Sequence, residues 1–536
     1  MVEHRCGRVQ SQRSPMLPFE PATPFTDMTL WRLIERRAGE TPDPQMVVDE
    51  RGFSLSFAEY RETAERVAAG LYERGVRADT VVSWQLPTWI DAMVLVAALA
   101  RLGAVQNPLV PIYRAREVRF IVRQIGARYL IVPSVWRGFD YRSMACEIAA
   151  ELGDIEVIVS DRSLPKGDPA TLPPPPPVPA TVDDAPVRWI YYTSGSTADP
   201  KGARHTDPGL AAAAMAFHQR LGLSARDRIA LVFPFSHIGG SNFLFSGLMT
   251  GCTYICSDVF DATATGELLA RERVTIAGTG TPFFLAYLAA QRAHPDRPLF
   301  PHLRACNGGG GPKPAGLHYD IKRELGGAGI ISGYGLTEAP VIAMNDLGAR
   351  DEQLAQSEGR PAPGVEMRII AFDGHECGPG EEGEIRAKAP QLMVGYVDEA
   401  LHADAFDDAG FLRTGDLGHY DEDGYVTISG RVKDIIIRKN ENISAKEIED
   451  LLYEHPKVAE VAVIGLPDAD LGERCCAVVV PRDERDPLTL TEMVEYLKTT
   501  GLMMQKIPEQ LEIVQSLPRA PAGKVLKLDL KRAFAR

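Results

Sequence analysis

Short apolar runs rich in β-branched residues, at 129–132, 157–159, 188–192 and 229–233, alternate along the chain with longer stretches of helical periodicity such as 57–74 and 210–221. Strands separated by helix-length connections are joined by crossovers, so this alternation predicts an α/β fold with mostly parallel strands. At 536 residues the chain exceeds what one hydrophobic core usually serves, and two or more domains are expected. A break falls at 431–434, after the turn-rich Asp421-Glu422-Asp423-Gly424. Beyond it, strands at 458–464 and 477–480 and a helix from Thr491 predict a small separate domain. Ser444 and Glu447 have the spacing of a capping box, so a helix that carries Leu451 and Leu452 inward is expected to start there. The expected division is an extension at 1–28, a large N-terminal domain of mixed and parallel sheets with helices at 29–430, and a smaller, mobile α+β lid domain at 431–536.

Bulk properties exclude several classes. A net charge of −14 argues against a nucleic-acid partner, which would need a basic face. The most apolar helical stretch, 92–100, stops at Arg101 and is too short to span a bilayer, so no membrane span is expected. Residues 1–21 carry Arg5, Arg8 and Arg13 with no apolar run behind them, which reads as a loose extension rather than a secretory signal, and a cytoplasmic location follows. Cysteines 6, 146, 252, 256, 306, 377, 475 and 476 lack metal-site spacing and read as reduced and structural. The proline tract 173–177 reads as an extended connector.

That connector leads to the most chemically loaded string. Residues 191–202 read Tyr-Tyr-Thr-Ser-Gly-Ser-Thr-Ala-Asp-Pro-Lys-Gly. The hydroxyls of Thr193, Ser194, Ser196 and Thr197 can donate to phosphate oxygens, Gly195 and Gly202 let backbone N–H groups come close, and Lys201 brings a mobile positive charge. Lys201 precedes Gly202 and Ala203 follows, so this is not a Walker loop, which argues against a kinase or GTPase. Ordinary surface turns share part of this composition; the whole string favours a nucleotide.

Two further strings are weak alone. Tyr334-Gly335-Leu336-Thr337-Glu338 follows the apolar 329–331, and a strand end there would deliver an aromatic face, a hydroxyl and a carboxylate to one place. Arg413-Thr414-Gly415-Asp416 sets a carboxylate in a tight turn, an acceptor suited to ribose hydroxyls. In order with the phosphate loop, and with FPFSHIGG at 233–240, NGGGGPKP at 307–314, GRVKDIIIRKNENISAKEIE at 430–449 and PRAPAGK at 518–524, they resemble the adenylate-forming superfamily of acyl-CoA synthetases, luciferases and peptide-synthetase adenylation domains. The resemblance runs from about Thr29 to the C-terminus.

The resemblance implies an acid–CoA ligase: ATP and a small-molecule carboxylic acid give an acyl-adenylate and pyrophosphate, and coenzyme A takes the acyl group. ATP, Mg²⁺ and coenzyme A are the implied cofactors. By the family pattern Glu338 would hold Mg²⁺, and Thr337 with the 193–197 hydroxyls would meet phosphates. Tyr334 would lie on adenine, with Gly309, Gly310 and Gly335 in the same nucleotide site, while Asp416 and Arg431 would fix the ribose. Lys524 would bridge the carboxylate and the α-phosphate, and Lys433 occupies the hinge about which the lid swings. Lys439-Asn440 stands where relatives usually show Gly-Gly, which puts Asn440 where backbone would follow the pantetheine arm. The stretch 233–250, one wall of the acyl pocket by the same pattern, contains no charged residue, which decides against amino acids. Phe243, Leu244, Phe245, Leu248 and Met249 suit a fatty, alicyclic or steroid side-chain acid, although several of them are expected to be core, with His237 as a gate or a core histidine. Two rivals stay open: a fatty-acyl-AMP ligase that serves a carrier protein, and a non-catalytic nucleotide-binding protein. The oligomeric state is left open, with a homodimer as one option.

Overall fold

The alternating runs become the strands of two large sheets in the computed structural model, which describes residues 27–193, 200–311, 313–438, 441–468, 471–519 and 525–535. One, seven-stranded among the described residues, holds Tyr129–Val132, Val81–Trp84, Val105–Pro108 and Val187–Thr193 as parallel neighbours; the other, nine-stranded, holds Tyr254-containing Thr253–Cys256 beside Arg228–Leu231, Ile276–Gly278, Ala305–Gly309 and Ile330–Leu336. Side chains alternate across each strand. Trp189 and Tyr191 face a core shared by both sheets, while Ile190 and Tyr192 face helices Ala115–Gln124 and Tyr141–Leu152. Ile229 and Leu231 join the shared core in the same way, and Ala230 and Val232 turn to helices Ala262–Arg271, Thr281–Ala293 and Ala315–Glu324. Helices Phe57–Glu73, Ile90–Leu102, Asp207–Leu221 and Ile238–Thr250 fill the space between the sheets. Both faces of both sheets are therefore covered, which explains why the strands read as continuous apolar runs.

The helix Asp207–Leu221 starts three residues before the apolar pattern begins, because Thr206 caps it by accepting the Gly209 N–H at 3.3 Å and Pro208 suits the first turn. Asp207 then does a second job. Its carboxylate accepts the Leu30 backbone N–H and the Trp189 indole N–H, each at 2.8 Å, tying the first helix, a central strand and this helix together in the interior. Arg101, the residue that ends the apolar helical stretch, is buried and donates to the Pro173 carbonyl at 2.7 Å, which fixes the proline connector against the domain.

A four-stranded antiparallel sheet, ending in Leu412–Tyr420 and Val426–Arg431, leads through the single 3₁₀ turn Val432–Asp434 into a five-stranded sheet that begins with Ile435–Arg438. In this last sheet Cys475 and Cys476 point to opposite faces and both are buried, in separate apolar clusters. Helix Ala445–Tyr453 starts at Ser444 as expected, and Leu452 is buried with Leu451 packed beside it. The reciprocal half of the capping box is not formed: Glu447 pairs with Lys506 at 2.6 Å instead of returning to Ser444, whose hydroxyl donates to the Ser429 carbonyl at 2.6 Å. A tertiary ion pair has displaced a local bond. Lys527, in a basic stretch that could have been a solvated tail, pairs with buried Glu449 at 2.7 Å and anchors the C-terminal helix Lys527–Phe534.

Asp207→Ala strands two interior donors, and a loss of about 2–4 kcal/mol is expected. Urea unfolding checks it: the midpoint should fall with an unchanged m-value.

Candidate active site

At the carboxyl ends of the parallel strands Ile276–Gly278, Ala305–Gly309 and Ile330–Leu336 lies a cavity of about 1220 Å³, where open α/β sheets bind ligands. Gly309, Gly310, Tyr334, Gly335, Asp416, Arg431 and Lys433 all line it. The glycine at 309 is required by close approach, since a Cβ there would meet the Gly333 carbonyl oxygen at 2.7 Å. Gly310, with φ +76 and open space around it, leaves the loop surface bare toward the cavity. Elements of the five-stranded domain close the other side: Lys446, Arg519, Val525 and Lys527 line the same cavity.

Asp416 organises one corner. It sits opposite Arg431 in the antiparallel register, and its Oδ1 lies 2.7 Å from the Arg431 Nε. Its Oδ2 accepts the Tyr334 hydroxyl at 2.8 Å, so a residue of the nine-stranded sheet and one of the four-stranded sheet share one buried carboxylate. Burial, reinforced by the Asp416 charge, holds the Tyr334 phenol well above the ordinary tyrosine range. Two positions beyond Arg431, the Lys433 side chain reaches solvent, yet partial burial of its ammonium and then the neighbouring Arg431 charge hold it below the ordinary lysine range.

Thr337 and Glu338 form the turn between strands Ile330–Leu336 and Ala339–Met344. Three groups fix that turn. His205 bonds the Thr337 carbonyl at 2.8 Å through Nε2, the Met393 N–H donates to the Glu338 carbonyl at 2.8 Å, and the Tyr396 hydroxyl donates to the Glu338 carboxylate at 2.7 Å. Burial pushes the His205 imidazole down to about 4, so it is neutral at pH 7 and its Nε2 must carry the proton it gives to Thr337. Lys201 stands over the Tyr396 ring, its Nζ 5.6 Å from the centroid, which brings the lysine of the phosphate loop to the same side as Glu338. His205 and Tyr396 were not singled out from the sequence, and nor was Glu358, which lines the cavity with its carboxyl held up by burial.

The profile of the AMP-binding enzyme family matches residues 34–397, and that of the AMP-binding enzyme C-terminal domain matches 447–524. The chain belongs to the AMP-binding enzyme family, the adenylate-forming superfamily. It is 29% identical over 525 residues to the medium-chain fatty-acid–CoA ligase of Escherichia coli (strain K12), covering 95% of this chain and 91% of that one. It is 32% identical over 534 residues to the salicyl-AMP ligase / salicyl-S-ArCP synthetase of Mycobacterium tuberculosis (strain ATCC 25618 / H37Rv), again covering 95% and 91%. Among solved structures, ATP-bound MatB from Rhodopseudomonas palustris superposes with a TM-score of 0.84 at 28% identity, covering 94% of this chain and 98% of that one. The α/β architecture with a large N-terminal part and a smaller C-terminal domain is that of adenylate-forming enzymes.

Not every residue expected for the AMP-binding site stands on the cavity wall. Among the described residues Thr193, Lys201, His237, Thr337 and Glu338 do not line it. Ser194, Gly195, Ser196, Thr197, Asn440 and Lys524 lie outside the described residues. The ends of two of those segments are fixed: Thr193 and Lys201 face each other across an antiparallel pair, and Arg519 bridges Val525 with both on the cavity wall. His237 caps helix Ile238–Thr250, its Nδ1 accepting the Gly239 N–H at 3.2 Å, and burial holds its imidazole below the ordinary histidine range. For the apolar residues of 243–249, core packing is the alternative that the structure favours. Phe243, Leu244, Phe245 and Leu248 are buried in the shared core, the Phe243 ring centroid lying 5.0 Å from that of Phe217 and 5.2 Å from that of Phe233, which it meets edge-on, because a helix between two sheets must be apolar on every face. No helix of the described residues is long and apolar enough to cross a membrane.

Arg431→Met leaves the buried Asp416 carboxylate without its cation, and a stability loss of about 1–3 kcal/mol is expected. Adding Asp416→Asn should recover part of that loss; additive penalties in the double variant would show that the pair is not coupled.

Proposed function

We propose that this enzyme uses ATP to activate an apolar carboxylic acid as its acyl-adenylate and then transfers the acyl group to coenzyme A. The observation that carries this reading is the Tyr334–Asp416–Arg431 constellation on the wall of a cavity whose far side is built by the C-terminal domain. Asp416 retains acceptor capacity for ribose hydroxyls, and Tyr334 offers a ring face beside Gly309 and Gly310 for the base. The acid's carboxylate attacks the α-phosphorus, the bond to the β-phosphate oxygen breaks, and pyrophosphate leaves. Two anions must meet for this step, so cations are the main lever. Lys524 is assigned to the junction of carboxylate and α-phosphate. Lys201 and the hydroxyls of Thr193, Ser194, Ser196 and Thr197, with the Gly195 backbone, are assigned to the β- and γ-phosphates.

Glu338 fits a magnesium ion. It is a buried, single hard-oxygen donor with one oxygen engaged by Tyr396, the kind of ligand that magnesium takes alongside phosphate oxygens. When bound, the ion would neutralise charge on the departing pyrophosphate. In the second half-reaction the thiol attacks the acyl carbon and AMP leaves. The domain boundary is proposed at 430–431, with Lys433 in the 3₁₀ turn that absorbs the lid's rotation.

For the acid, Ile112, Phe120 and Leu285 supply apolar surface on the cavity wall. Fatty, alicyclic and steroid side-chain acids fit that wall. A carrier-protein thiol as the acceptor is the rival reading, favoured by Lys439-Asn440 and by the similarity to a salicyl-AMP ligase.

Lys524→Ala is expected to lose adenylate formation by roughly a hundredfold or more while ATP binding persists. Hydroxamate trapping reads the first step, and a near-normal rate would refute the assignment. Lys433→Ala should slow thioester formation more than adenylation; equal slowing of both steps counts against the hinge. Pyrophosphate release across a panel of carboxylates, with free coenzyme A as acceptor, tests the substrate class, and preference for an amino acid would overturn it.

A further inference from the structure

The strands that end at the catalytic cleft begin at a second cavity of about 640 Å³. Arg228 opens its strand there, Thr275 directly precedes Ile276–Gly278, and Arg304 directly precedes Ala305–Gly309. Arg304 and Gly309 are separated along one extended strand by roughly 16 Å. The two cavities therefore lie at opposite edges of one sheet, and no residue lines both.

Five arginines line this second cavity against two carboxylates, in a chain whose net charge is −14. Both carboxylates are already engaged. Asp227 takes the Arg304 guanidinium and the Thr275 hydroxyl, and Glu272 takes Arg228 at 2.8 Å and Arg271 at 3.2 Å. Arg226 and Arg273 are left with no anionic partner among the described residues, and His302 stands on the same wall, also without one. Arg273 holds a left-handed backbone, φ 57, at the turn into Ile276–Gly278, a conformation uncommon outside glycine. Guanidinium groups gathered in one concavity repel one another unless an anion lies between them. Their planar N–H donors match the oxygens of phosphate in pairs. No apolar side chain lines the cavity, so a lipid tail has nothing to rest on.

We propose that this cavity is a second anion site, remote from the reaction centre, that binds a soluble, multiply charged phosphate compound: a phosphate monoester or a polyphosphate. Arg226 and Arg273 are its primary contacts, while Arg228 and Arg304, held in place by Glu272 and Asp227, form its floor.

The test titrates the full-length protein with inorganic pyrophosphate at constant ionic strength and compares it with the Arg226→Gln/Arg273→Gln double variant. Both side chains are exposed, so the fold should be retained, which circular dichroism checks. We expect a binding component weakened by roughly tenfold or more in the variant, with acid-dependent pyrophosphate release unchanged. Identical pyrophosphate binding in the two proteins would overturn the proposal, as would competition by chloride as effective as that by phosphate. A crystal soaked in sodium tungstate gives a second reading. Anomalous density between Arg226 and Arg273 supports the site, and density found only in the catalytic cleft contradicts it.

Discussion

One buried carboxylate, Asp416, ties two sheets of this molecule together at the cavity wall. Its two oxygens are taken by the Tyr334 hydroxyl and the Arg431 guanidinium, so the end of a nine-stranded sheet is tied to a four-stranded one across 82 residues of sequence. Removing a carboxylate from water costs several kcal/mol unless its oxygens are bonded, and here both are. The two bonds hold the carboxylate in one orientation, so it is pre-organised for any donor that reaches it. Arg431 is also the last residue before the 3₁₀ turn that leads to the C-terminal domain. The side chain that pairs with Asp416 thus stands next to the turn between the two domains.

Much of the fold was legible because its physical cause is local. Strands at 129–132 and 187–193 stood out as apolar runs because both faces of each sheet are covered, and the small glycines of 307–311 stood out because backbone must approach backbone at Gly309. Failures occurred where the deciding partner is far away in sequence. Glu447 has the spacing of a capping residue, yet Lys506 claims it from 59 residues on. His205 and Tyr396 hold the Thr337–Glu338 turn across 132 and 58 residues, and neither sits in a pattern that marks it. The Phe243-to-Leu248 stretch was ambiguous for another reason: an apolar helix reads the same whether it lines a pocket or fills a core, and here it fills a core. Tyr334, Asp416 and Arg431 were recoverable only because their strings occur in a recognisable order.

The nine-stranded sheet carries polarity from end to end. At its carboxyl edge, glycines and one shared carboxylate line the larger cavity. At its amino edge, arginines exceed carboxylates although the chain as a whole is acidic. The strands between these edges are covered on both faces, so the two cavities are separated by packed interior.

The central claim is that separate segments converge on one nucleotide with its ribose at Asp416. A crystal structure of the full chain with a nonhydrolysable ATP analogue and magnesium tests it most directly. The account predicts the base against Tyr334 beside Gly309 and Gly310, ribose hydroxyls on Asp416, the metal on Glu338 and the Lys524 ammonium near the α-phosphate. A nucleotide bound elsewhere, or one whose ribose turns away from Asp416, would contradict it.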